Sequence, residues 1–331
     1  MATHILAYVQ TGIISRWKRL TLKHARDRQP VFVYGSDDDR QFAAYARNGA
    51  VLCIVASHRR HPPALVARLA GVQRIDEYHA RGVPRVLLRD LKHPGRDRPY
   101  RHRVKGGRGS RFFGHNDASQ VLRALTLLGS HGNVVKRAGA PWIPGRHGRM
   151  LLRPHRVQDA ASLSAFAASL QRRAVFVSWK HADTKGRARA HYDRRRRVRE
   201  FVDRLTRRGV AVWLDERALP DYHPRTADDR LLELLLAQGL TQSRLVIAVA
   251  TPHYGSRSEG SGENWTLREW RSKAKRSRAV FFADATRGPR GAPGDGPPID
   301  TASIGLRLSG DPSVAARQVA RRLAEEAGER S

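Results

Sequence analysis

The chain has 331 residues, 40% of them hydrophobic, and carries 62 Lys and Arg against 30 Asp and Glu, a formal net charge of +32. Such a length accommodates two domains of ~100–200 residues, and the apolar share excludes disorder throughout. The single cysteine, Cys53, excludes an internal disulfide and a cysteine-built zinc site within one chain.

The longest apolar runs, such as LVIAVA at 245–250, fall far short of the ~20 residues that a membrane span needs. The early stretch ILAYVQTGII has its basic residues after it, the wrong order for a secretory signal. A soluble, cytoplasmic protein with no membrane partner is expected. Residues 1–170 hold 30 basic and 10 acidic residues, and residues 171–331 hold 32 and 20. The excess is spread along the whole chain, so it fits compositional bias as well as a nucleic-acid or nucleotide ligand, with the N-terminal half the favoured site.

In chain order, the first elements are short β segments: ILAYVQ, VFVYGS, AVLCIVAS, ALVARLAGV and VPRVLLRD, each bounded by Gly, Pro, Asp or Ser. Cys53 lies inside AVLCIVAS, where a small buried hydrophobe is expected. The basic stretch VKGGRGSRFFGHN (104–116) reads either as an exposed hairpin loop or as a phosphate or base contact. It is not a P-loop, since no Gly-Lys-Ser/Thr closes it. NDASQVLRALTLLG (116–129) predicts a helix with an Asn/Asp cap that ends on Gly129. Residues 1–157 therefore read as a β-rich α+β or β-barrel-like domain. DAASLSAFAASLQ predicts a linker helix within 158–172.

From residue 173 strands and helices alternate. AVFVSW, VAVWL, RLVIAVA and AVFFAD are strands, and SIGLRL is an edge strand. Helices are predicted at 190–208, with Val198, Phe201, Val202 and Leu205 on one face, and at 227–240, 263–276 and 311–328. Continuous apolar strands alternating with helices define a parallel α/β sheet over 173–331, with ligands expected beyond the strands' carboxyl ends. Three clusters fall there. Ser178, Trp179, Lys180, His181 and Asp183 follow the first strand, and Asp215 to Pro220 follow the second. A longer segment leads from the third to a helix bearing Trp265 and Glu269, which are i,i+4 neighbours.

Three boxes, VFVSWKHAD, RRGVAVWLDERALP and VIAVATPHYG…ENWTLRE, occur in this order over residues 173 to about 284. In these the chain resembles the bacterial Toll/interleukin-1 receptor (TIR) domain family. The resemblance implies a flavodoxin-like sheet, with Glu269 at the family's catalytic glutamate and residues 215–226 as its BB loop. Trp179 stands where the family has tyrosine, Asp221 follows Pro220 in place of glycine, and the link before Trp265 is longer than usual. The strand–loop–strand stretch GAVLCIVASHRRHPPALVARLAGV (49–72) is also similar to PUA-like and EVE-like β-barrels that recognise modified bases.

The TIR resemblance implies either NAD cleavage at the nicotinamide–ribose bond or non-enzymatic scaffolding; a nucleic-acid-binding protein that uses its TIR domain only to oligomerise is the third alternative. Cleaving that bond passes through an oxocarbenium-like ribosyl cation. Nicotinamide leaves as a neutral molecule, so no general acid is needed, and one carboxylate suffices to hold the ribose hydroxyls and offset the developing charge. NAD is thus substrate, with no cofactor and no metal expected. Glu269 is the expected catalytic residue, with Ser178, Trp179, Lys180, His181, Asp215 and Trp265 around the substrate. Trp179 either stacks on a ring or caps the sheet, Trp265 either lines the pocket or fills the core, and Lys180 and His181 either meet the pyrophosphate or sit at the surface. Asp215 and Asp183 suit loop fixing, and Glu263 suits a helix N-terminus. Leu219 and Tyr222 are the expected homo-oligomer contacts of the BB loop. The family pattern suggests antiphage defence or stress signalling, with the N-terminal domain sensing a trigger.

Overall fold

The structure, a computed structural model, describes residues 2–10, 17–22, 30–37, 49–58, 61–75, 100–129, 131–141, 154–179, 188–214, 229–250, 277–281, 306–307 and 311–328, with the single positions 83 and 89. The protein is a mixed α/β chain that divides into two compact units. The first comprises Met1–Phe113, Asp117–Ala168 and Leu219–Leu235, and the second comprises Gly114–Asn116, Ser169–Ala218 and Leu236–Ser331.

In the first unit β1 (His4–Gln10), β2 (Val33–Ser36), β3 (Ala50–His58), β4 (His61–Arg74), β5 (His102–Lys105), β6 (Arg111–Phe112), β7 (Leu127–Leu128), β8 (Val134–Lys136) and β9 (His155–Val157) form one sheet. Its order is β2-β5-β4-β3-β1-β9-β7-β8, with β6 beside β4, and no pairing joins β2 to β8 among the described residues. β1 and β3 run parallel, and the other pairs are antiparallel. Ile5, Leu6 and Ala7, like Leu52, Cys53 and Ile54, are buried in unbroken runs, which is why these segments read as continuous apolar strands rather than alternating ones. Burial pushes the Cys53 thiol up to about 12, so it is protonated at neutral pH and packs as the small hydrophobe expected.

Two expectations fail in this unit. The helix predicted over 116–129 is only Ser119–Ala124 (α1): Leu125 is already extended, and Leu127 pairs with Val157 and Lys136. The stop is tertiary. The buried Lys136 ammonium donates to the carbonyls of Arg123, Leu125 and Arg137 at 3.1, 2.9 and 3.1 Å, and the first two are groups that a longer helix would have used itself. The N-cap is Ala118, which has no capping side chain, rather than the expected Asn or Asp; Asp117, one residue earlier, accepts from Ser119 N at 2.9 Å. The second failure is the hairpin reading of 104–116. β5 and β6 do not pair with each other but both pair along β4, so Gly106–Ser110 is a turn interrupting one edge. Its two phenylalanines are core residues. Phe112 packs edge-on to Trp17 (5.4 Å) and against Phe32 (4.8 Å), and Phe113 is buried too, so neither presents a face for a base. Of the strand expected at 83–90 the structure describes two positions, and neither is extended: Val83 is at a bend and Arg89 is helical, while the rest lies outside the described residues.

The second unit holds β10 (Ala174–Ser178), β11 (Ala211–Trp213), β12 (Leu245–Ala250), β13 (Ser277–Phe281) and β14 (Leu306–Arg307), all parallel, in the order β11-β10-β12-β13-β14. The helices are α2 (Ala161–Arg172), α3 (Ala188–Thr206), α4 (Asp229–Gln242) and α5 (Pro312–Glu326); the division between units falls inside α2 and α4. Asp159 caps α2 (Ala161 N to Oδ1, 2.9 Å) and Asp311 caps α5 (Ser313 N to Oδ1, 2.8 Å), with Pro312 in its first turn.

Alternation along the strands divides the core. Val175, Val177 and Trp179, with Val212, Leu214, Ile247 and Val249, share one cluster with Val198, Phe201, Val202 and Leu205 of α3 and Ala315, Ala316, Val319 and Leu323 of α5. The apolar stripe predicted on α3 is fully buried. On the opposite face Gly239 of α4 lies so close that a Cβ there would be 2.9 Å from Phe176 and 3.2 Å from Trp213. Both faces are therefore covered.

Gly114–Asn116 completes the β11 edge. His115 N donates to Val212 O at 2.7 Å and Val212 N to His115 O at 2.8 Å, while the buried Asn116 side chain donates to Gly114 O at 2.8 Å. A Cβ on Gly114 would lie 2.7 Å from the Val212 backbone C and O. Gly114→Ala is therefore expected to destabilise the protein by ~1–3 kcal/mol, the usual range for overpacking against backbone that cannot yield. Thermal melting measures this, and slowed amide exchange at Val212 should be lost in the variant.

Candidate functional site

Because all five strands of the second unit run parallel, their carboxyl ends lie along one edge. The chain leaves β10 for β11 on one side and returns to β12 on the other, so the strand order reverses between β10 and β12. At that point the connections diverge to opposite faces, α3 on one and α4 on the other, which is where sheets of this kind bind their ligands, beyond the strand ends. β10 reaches it through Ser178, which is in register with Ala248 of β12.

Of the residues expected at the site, the structure describes these two. Ser178 is 1% exposed at the end of β10, on the face that carries Phe176. Trp179 is 4% exposed and belongs to the α3–α5 core cluster. Its ring caps the sheet in this arrangement, and stacking on a ligand would require it to leave that cluster. The signal was present in the sequence: Val175, Val177 and Trp179 alternate, which assigns the indole to the face of the two valines. Lys180, His181, Asp183, Asp215, Leu219, Tyr222, Glu263, Trp265 and Glu269 lie outside the described residues, as does the helix expected at 263–276.

Among the described residues a concavity lies on α3, lined by Arg195, Arg196, Arg199, Glu200, Asp203, Arg204 and Arg207. Its charges are mixed, with Glu200 3.5 Å from Arg204, and it reads as a solvated helix face. Among the described residues no group of three or more His, Cys, Asp or Glu could hold a metal ion, and no helix is long and apolar enough to cross a membrane.

No protein-family model, curated protein or solved structure matches the chain.

Proposed function

We propose that the protein is a TIR-type NAD glycohydrolase of the bacterial cytoplasm, activated by assembly after its N-terminal part senses a trigger, in defence or signalling. The observation that carries this reading is the second unit's sheet. Its strands run in the order 2-1-3-4-5, the flavodoxin-like order, with helices on both faces, and VFVSW ends at the point where that order reverses. This supports the three sequence boxes independently, since neither their residues nor their spacing dictates a strand order.

In the proposed reaction NAD lies across the strand ends, and Glu269 holds the ribose hydroxyls and offsets the charge that grows as the bond to nicotinamide breaks. Water or an internal nucleophile then captures the ribosyl centre. Purified protein mixed with NAD should release nicotinamide, and activity per molecule should rise with protein concentration. Absence of nicotinamide at every concentration would leave the scaffold alternative.

The BB-loop stretch DERALPDYHPRT (215–226) is the proposed homo-oligomer contact, through Leu219 and Tyr222. Leu219→Asp puts a carboxylate into that contact, where an unpaired buried charge is costly. The variant should stay monomeric and inactive at concentrations where the wild type is active. Sedimentation alongside the nicotinamide assay checks this; full activity with unchanged assembly would remove the loop from the contact.

A further inference from the structure

The glycine-rich basic turn of the first unit is unexplained by NAD cleavage. In the antiparallel pairing of β4 with β6, Arg68 stands directly opposite Arg111, so the two side chains share one face at a Cβ separation of roughly 4.5–5.5 Å. On the other side Arg68 is in register with the buried Cys53. Both arginines are half-buried. Like charges directly opposite on a sheet are destabilising, and a partly covered face screens them less than water does. No carboxylate among the described residues pairs with either. Arg111 donates from Nε to Gly109 O at 3.4 Å, and the Arg68 side chain has no hydrogen bond among the described residues.

The turn beside them is fixed. Gly107 N donates to Ala70 O at 2.7 Å, and Ser110 Oγ accepts from Ala70 N at 3.0 Å and donates to Gly107 O at 2.8 Å. Gly109, at φ +92°, holds a conformation that glycine favours, and Arg108 is exposed at the tip. Phe112 points to the opposite face, into the aromatic cluster, so this surface offers charge without a stacking platform.

We propose that Arg68 and Arg111, on the strand pair that the Gly106–Ser110 turn fixes, form a phosphate-binding site. Two planar forks carrying two positive charges match a phosphate dianion, whose several oxygens can accept from both; a single carboxylate neutralises only one. Burial, and then the neighbouring Arg68, lower the Arg111 pKa, as expected for a cation pair that lacks its anion. The site is independent of the NAD reading.

The test uses the full chain in phosphate-free, low-salt buffer. Inorganic phosphate, ADP and a short oligonucleotide are titrated against wild type, Arg68→Gln/Arg111→Gln, and a control of equal charge loss, Arg321→Gln/Arg322→Gln on exposed α5. At least one probe should bind wild type and control alike, and bind the site variant at least ~10-fold more weakly. Binding of phosphate and ADP alone assigns a small ligand. Binding of the oligonucleotide alone, with a salt slope that falls by ~2 in the site variant, assigns a nucleic-acid backbone. Arg111→Gln alone should melt higher than wild type without phosphate and lose that advantage with it, which separates the site from a folding defect. No binding by any probe, or equal loss in the control, overturns the proposal.

Discussion

Glu269→Gln is expected to lower NAD cleavage by ~10²–10³ while leaving the melting temperature unchanged, the cost typical of deleting one preorganised electrostatic group. Glutamine keeps the size and can still accept a hydrogen bond from a ribose hydroxyl, so NAD should still bind. It lacks the negative charge that offsets the ribosyl cation, and that charge matters most at the transition state. The loss should therefore fall on kcat more than on KM. Nicotinamide release by chromatography, at a protein concentration that supports assembly, measures it. A variant as active as wild type would remove Glu269 from the chemistry, whereas a variant that fails to bind NAD would make it a binding residue.

The second unit was the more legible part of the chain. Its strands are buried on both faces, so AVFVS and LVIAVA stand out as unbroken apolar runs, and α3 and α5 show their core stripes at helical spacing. Local signals also sufficed where a cap is local, as with Asp311 and Pro312. What the sequence concealed depends on distant partners. The carbonyls that end α1 are claimed by Lys136, Gly114–Asn116 pairs with Val212, and Arg68 meets Arg111 only through the β4–β6 register. Two adjacent phenylalanines in a basic glycine loop look like a base platform until Phe112 is found against Trp17 and Phe32. At the candidate site, the strand-end position of Ser178 and Trp179 was readable, but the side of the sheet on which the indole packs required attention to alternation rather than to residue type.

The largest expected gain in stability comes from Lys18. The residue is 7% exposed, and its ammonium lies 5.6 Å from the centroid of Phe112, the one partner the structure gives it among the described residues. A ring face offsets a buried cation by only ~2 kcal/mol. Desolvation accordingly lowers the Lys18 pKa to about 8 from 10.5. The folded protein then releases this proton at a lower pH than the unfolded chain. Below pH 8 both states carry the charge and the folded state bears the full penalty. Between pH 8 and 10.5 the unfolded chain holds the extra proton, so stability from this group rises with pH. The window corresponds to about 3 kcal/mol. Lys18→Met keeps the unbranched length, removes the charge and sets a thioether against the aromatic cluster. At pH 7 the variant should be more stable by ~2–3 kcal/mol, a rise of several degrees in melting temperature. The difference between wild type and variant should shrink as pH climbs towards 10.5, a comparison in which the other titrating groups cancel. Denaturant melts at pH 7, 9 and 10.5 measure it, and a difference that stays constant with pH would mean that Lys18 is solvated in the folded protein.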